Sequence, residues 1–89
     1  MITWRLGTEV QIARERDGTI LFNLQNGQLY SLTPVGSVIL DRLLGGREMS
    51  AVIDELEEAY GQPRARLESD ARRFMHELAE KGLCHAGDQ

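Results

Sequence analysis

The apolar period of this chain changes once, near residue 33, from about two residues to about 3.6. Side chains alternate across a strand and recur every third or fourth position on a helix. A single change of period therefore predicts a strand half followed by a helical half. Elements segregated in this way pack as an α+β domain, with helices covering one face of a small antiparallel sheet and an outline like a winged helix. The chain has 89 residues, room for one hydrophobic core and not for two. One domain over residues 1–89 is expected, with its core in 8–83 and a frayed tail over 84–89.

The strand half carries two turn signals, Asp17-Gly18 and Asn26-Gly27. A two-residue loop at Asn26-Gly27 would set Phe22 opposite Ser31 and Leu21 opposite Leu32. A three-residue loop over Gln25 to Gly27 pairs Phe22 with Tyr30 and Ile20 with Leu32. The second choice gathers Ile20, Phe22, Leu24, Tyr30 and Leu32 on one face. The same choice over Arg16 to Gly18 pairs Ile12 with Phe22 and Val10 with Leu24. Opposed apolar side chains suit a sheet packed on a core. The expectation is three antiparallel strands over about 9–15, 19–24 and 28–32, joined by hairpins with Gly18 and Gly27 in the left-handed region. Both outer strands of such a meander are edges, and an uncovered last strand offers its backbone groups to another strand.

Thr33-Pro34 reads as a helix start, with the threonine as N-cap and the proline at the first helical position. This helix is expected to reach Leu44 and stop at Gly45-Gly46. A second, over about 49–60, places Met49, Val52, Ile53, Leu56 and Tyr60 on one stripe and stops at Gly61. Pro63 opens a third helix with Leu67, Ala71, Phe74 and Leu78 along its apolar arc, ending at Gly82.

Net charge is −4 and the pI about 5.1, which weighs against a partner read through phosphate neutralisation. Winged-helix DNA binding is the alternative to weigh, because the third helix holds Arg64, Arg66, Arg72 and Arg73. The helix before it carries Glu48, Asp54, Glu55, Glu57 and Glu58 and no basic residue, so it would repel the phosphate backbone. No apolar run approaches the roughly 18 residues of a membrane helix, and no signal peptide is expected. The lone cysteine, Cys84, has no disulfide partner in the chain, in keeping with a reducing cytoplasm.

No enzyme signature emerges. His76 stands mid-helix beside Met75 and Glu77, and Cys84-His85 supplies two ligands where a zinc site takes three or four. No phosphate-binding glycine loop, Cys-x-x-Cys or His-Glu-x-x-His occurs. Neither catalysis nor a cofactor is expected.

Residues Asn26 to Gly36, with Gly27, Tyr30, Leu32, Pro34 and Gly36 at their spacing, resemble the hairpin-to-helix signature of the PqqD-like proteins. Leu43-Leu44-Gly45-Gly46, Ile53-Asp54-Glu55-Leu56 through Tyr60-Gly61, and Leu78 to Leu83 follow in the same order. The resemblance spans about residues 8–83. It implies a RiPP recognition element, a domain that binds the leader of a ribosomally made precursor peptide. The modifying enzyme would be a leader peptidase or a radical-SAM enzyme. The Gly27-to-Gly36 run is more similar to freestanding lasso-peptide subunits than to the quinone-pathway protein.

By that resemblance the leader adds as a strand beside Gln28, Leu29, Tyr30, Ser31 and Leu32. The facing cleft wall is the last helix, through Leu67, Asp70, Ala71, Arg73, Phe74 and Glu77. Asp70, where many relatives carry an aliphatic residue, implies a more polar wall. Arg66, Asp70, Arg73 and Glu77 read either as a solvated ladder of Arg66–Asp70 and Arg73–Glu77 pairs or as a charged rim that selects leader charges. The acidic second helix reads either as a solvated face or as a dock for a basic patch on the enzyme. The chain is expected to be a monomer, or a homodimer through its open edge.

Overall fold

A computed structural model describes residues 2–88. The strand half folds into the meander β2 (Val10–Glu15), β3 (Gly18–Asn23) and β4 (Gln28–Leu32), antiparallel and in that spatial order. Its register differs from the expected one at both turns. Glu15 pairs with Gly18 across a two-residue loop, and Asn23 with Gln28 across a four-residue loop. Thus Val10 faces Asn23, Ile12 faces Leu21, and Tyr30 faces Leu21 rather than Phe22.

The second loop is held by side-chain oxygens. Asn23 Oδ1 accepts from the amides of Gln25 at 2.9 Å and Asn26 at 3.4 Å, and Asn26 Oδ1 accepts from the Gln28 amide at 3.0 Å. These bonds satisfy amides that a tighter loop would have given to the ladder. Gly27, with φ +76°, closes the loop as expected. Gly18 lies in the strand rather than in a loop, with φ +154°. A Cβ there would stand 2.3 Å from the Leu32 carbonyl oxygen, so only glycine lets β3 and β4 approach.

A one-residue shift turns side chains to the opposite face. Tyr30 and Leu32 point to the helices beside Leu21, as do the buried Thr19 and Asn23. Ile20, Phe22 and Leu24, expected on that face, point to the other one together with Leu29.

The helical half follows its start and stop signals, although Tyr60, expected on an apolar stripe, is exposed and Met75 is buried where Phe74, only half-buried, was expected. In α1 (Pro34–Leu44) Thr33 Oγ1 accepts from the Gly36 amide at 3.1 Å, and Gly45 closes the last turn. Helix α2 (Met49–Tyr60) ends at Gly61, whose φ is +66°. Helix α3 (Arg64–Glu80) follows Pro63. Leu40, Leu43, Val52, Ile53, Leu56 and Met75 from the three helices meet Leu21 in one core. No helix among the described residues is long and apolar enough to cross a membrane.

The chain ends differ from the expected fold. Residues Ile2–Leu6 form β1, and Cys84–Asp88, expected to fray, form β5; the two pair antiparallel as a separate sheet. Gln89, the last residue of that expected tail, lies outside the described residues. Fully buried Leu83 and nearly buried Cys84 anchor the last strand, and the Gly7 amide donates to the Leu83 carbonyl at 3.0 Å.

Candidate functional site

Strand β4 is an edge of its sheet, and its free side can be assigned. The Leu24 amide donates to the Glu9 carbonyl at 2.8 Å, so backbone groups at Leu24, Phe22 and Ile20 point to β2. Those of Leu21 and Thr19 therefore point to β4, where they meet Tyr30 and Leu32. By the same alternation Leu29 and Ser31 turn their N–H and C=O groups outward. Two residues of β4 thus offer a ladder to an incoming strand.

That edge opens onto a trough. Tyr30, Ser31, Leu32 and Thr33 form one side of a cavity of about 270 Å³, and Phe74, Glu77, Leu78 and Lys81 of α3 form the other. Thr33 and Phe74 also border a neighbouring cavity of about 240 Å³, which reaches Val35, Gly36, Leu56, Tyr60, Gln62, Leu67, Asp70 and Ala71. The Phe74 ring lies against the backbone of α1, its carbons 3.2 Å from where a Cβ on Gly36 would sit. Lys81 Nζ lies 5.7 Å from the centre of the Tyr30 ring, whose hydroxyl donates to Gln28 Oε1. Helix α3 therefore runs antiparallel to β4, with Phe74 near Thr33 and Lys81 near Tyr30.

Most expected side chains meet here. Tyr30, Ser31, Leu32, Phe74 and Glu77 line the first cavity, and Leu67, Asp70, Ala71 and Phe74 line the second. Arg73 stands at the rim with Asp70, Phe74 and Glu77. Leu29 is an exception: its side chain lies on the outer sheet face, 58% exposed. Gln28 touches the trough only through its bond to Tyr30. Lys81, Gly36, Tyr60 and Gln62 were missed. Lys81 could have been found, since it follows Phe74 by seven and Glu77 by four on one helix face.

The charged ladder on α3 is only half as expected. Arg66 and Asp70 approach to 3.9 Å, but Arg73 pairs with Asp70 at 2.8 Å rather than with Glu77. Arg72 pairs with Glu68 at 3.3 Å, and Arg64 with Asp54 of α2 at 2.5 Å. Each arginine of α3 thus faces a carboxylate of its own chain, and a phosphate backbone would have to break those pairs. The acidic α2 is likewise engaged: Glu55 takes Arg42 at 3.1 Å and Arg47 at 2.6 Å. Hydrogen bonds and charge from Arg42, then Arg47, hold the Glu55 carboxyl below its usual range, although partial burial opposes them.

Two further surfaces stand out. A cavity of about 460 Å³ lies across α3 from the trough, floored by Trp4, Leu43 and Met75. Its rim residues Arg47, Arg72 and His76 each lie against a carboxylate. The outer sheet face exposes Phe22 (40%), Leu24 (49%) and Leu29 (58%), and Phe22 lies directly across from Leu29. The Cys84–His85 pair does not converge. Cys84 is buried, and loss of hydration pushes its thiol up to about 11, whereas His85 is exposed.

The family model described as coenzyme PQQ synthesis protein D (PqqD) matches residues 18–83, most of the chain. The chain belongs to the PqqD family. No curated protein matches it. Among solved structures, this PqqD-family chain is similar to a lasso peptide synthetase B1 complexed with the leader peptide. That likeness has 27% identity and a TM-score of 0.87, covering 92% of this chain and 96% of the other. It is also similar to TbiB1 in complex with the TbiA(beta) leader peptide, at 31% identity and a TM-score of 0.83, covering 91% and 94%. Neither the fold matches nor the paired arginines support the DNA-binding alternative.

Proposed function

We propose that this chain binds the leader of a ribosomally made precursor peptide, in a lasso-peptide pathway, and presents it to a modifying enzyme without performing chemistry itself. The leader adds antiparallel to β4, bonding the outward backbone groups of Leu29 and Ser31. Its inward side chains enter the trough between Tyr30 and Phe74. The observation that carries this reading is a strand edge that opens directly onto an apolar trough. Two leader-bound structures of the same fold support it.

Presentation needs a second surface, and the outer sheet face provides one. An added leader strand extends that face, so an enzyme seated on Phe22, Leu24 and Leu29 would touch carrier and leader together. The acidic α2 is the weaker candidate, since its Asp54, Glu55 and Glu57 already hold arginines of this chain.

An NMR titration with a synthetic leader from the adjacent precursor gene tests both parts. The Leu29 and Ser31 amides should become protected from exchange, and resonances of Phe74, Glu77 and Lys81 should shift. Perturbation confined to Glu48–Tyr60, with the β4 edge unchanged, would place the site elsewhere. In the same assay F22E should bind leader normally, yet no longer support leader removal by the pathway's peptidase.

A further inference from the structure

Resting on that proposed function, the structure assigns to Glu77 and Lys81 the reading of two opposite charges on the leader, two residues apart and in a fixed order. Both side chains are exposed on the α3 wall of the trough. The other charges on this wall, Asp70 and Arg73, are joined to each other at 2.8 Å, and Arg66 also leans on Asp70. Glu77 and Lys81 are different. They stand at the i,i+4 spacing that favours an ion pair, yet among the described residues neither is in one. Lys81 is turned toward the Tyr30 ring, and Glu77 stands one turn nearer Phe74.

The spacing of these two charges matches that of a strand. Four residues of helix rise about 6 Å, and two residues of strand advance about 6.8 Å. Side chains of an added strand that point to α3 are those across from Leu32 and Tyr30, because these two point there themselves. The first meets the turn holding Glu77, and the second meets Lys81. An antiparallel addition, like every other pairing in this sheet, runs from Leu32 toward Tyr30 and hence along α3 from Phe74 to Lys81. The leader then carries a basic residue at position n, facing Glu77, and an acidic one at n+2, facing Lys81. A strand slipped by two residues sets a like charge against one of them, and a strand entering in the opposite direction sets like charges against both. The pair thus selects direction and register, which backbone ladder bonds cannot do alone.

The test uses the full chain and synthetic peptides built on the leader of the adjacent precursor gene. Successive n, n+2 positions are replaced by Lys-x-Asp, by Asp-x-Lys, or by Ala-x-Ala. At one register the wild type should bind Lys-x-Asp on the order of tenfold tighter than Asp-x-Lys, since two exposed pairs change from attraction to repulsion. The preference should shrink at about 0.5 M salt. It should persist in K81R and invert in E77K/K81E, with the circular dichroism of both variants unchanged. Order-independent binding at every register, or a preference that E77K/K81E leaves as it was, overturns the charge reading and leaves leader binding intact. Failure of every peptide, the unmodified leader included, overturns the proposed function and this inference with it.

Discussion

Gly36→Ala should separate folding from binding. Gly36 lies in the first turn of α1 with helical neighbours and an ordinary backbone, so alanine has no conformational objection there. Replacing a helical glycine by alanine favours the helix by up to about 1 kcal/mol. The added methyl would stand 3.2 Å from two ring carbons of Phe74 and 3.3 Å from Thr33 Oγ1. The ring must give by a few tenths of an ångström, and it can, because Phe74 is only half-buried and borders open space. Net stability should therefore change by less than about 1 kcal/mol, in either direction. The ring moves into the trough, however, at the point where the two cavities meet. Excluding about one methylene's worth of leader burial costs about 0.8 kcal/mol, roughly fourfold in Kd. Urea denaturation and fluorescence anisotropy with labelled leader measure the two quantities separately. In a Phe74→Leu background the same substitution should change Kd by less than about twofold, as expected for coupled neighbours. An unchanged Kd in the single variant would show that Phe74 is not a wall of the site. A stability loss above about 2 kcal/mol would show that the ring cannot yield.

Gly18→Ala should destabilise far more than Gly27→Ala. The first sets a Cβ 2.3 Å from the Leu32 carbonyl oxygen, whereas the second meets nothing within 4 Å and carries only the strain of a left-handed φ. Losses of roughly 3 and 1 kcal/mol are expected in urea denaturation, and equal losses would contradict the close approach of Gly18 to the Leu32 carbonyl. Cys84 should resist alkylation at pH 8 until the protein unfolds, because burial raises its thiol from 9.0 to about 11. The unfolded chain loses that proton first as pH rises, so the thiol's share of stability is intact below about pH 9 and declines up to about 11. Cys84→Ala should flatten the fall in stability over that interval. An equally steep fall in the variant would assign the pH dependence to another group.

What the sequence determined by itself was everything governed by neighbours a few residues apart. The Thr33 cap, the proline after it, the stops at Gly45 and Gly61 and the apolar stripes of α2 and α3 depend on bonds and spacings within one turn of helix. The family signature around Tyr30, Leu32, Pro34 and Gly36 was legible for the same reason, and with it the expectation that β4 and α3 face each other. The strand register was not. It turned on whether Asn23 and Asn26 would bond loop amides and on how closely Gly18 could approach Leu32, choices that apolar alternation alone weighed wrongly. That single step carried Phe22 and Leu24 from the expected core to the exposed face. Pairing between Ile2–Leu6 and Cys84–Asp88 joins the two ends of the chain, beyond the reach of any local period. Tertiary structure also settled which charges pair with one another among the described residues. Arg73 could reach Asp70 or Glu77 with the same side chain, and its bond to Asp70 leaves Glu77 and Lys81 facing the trough.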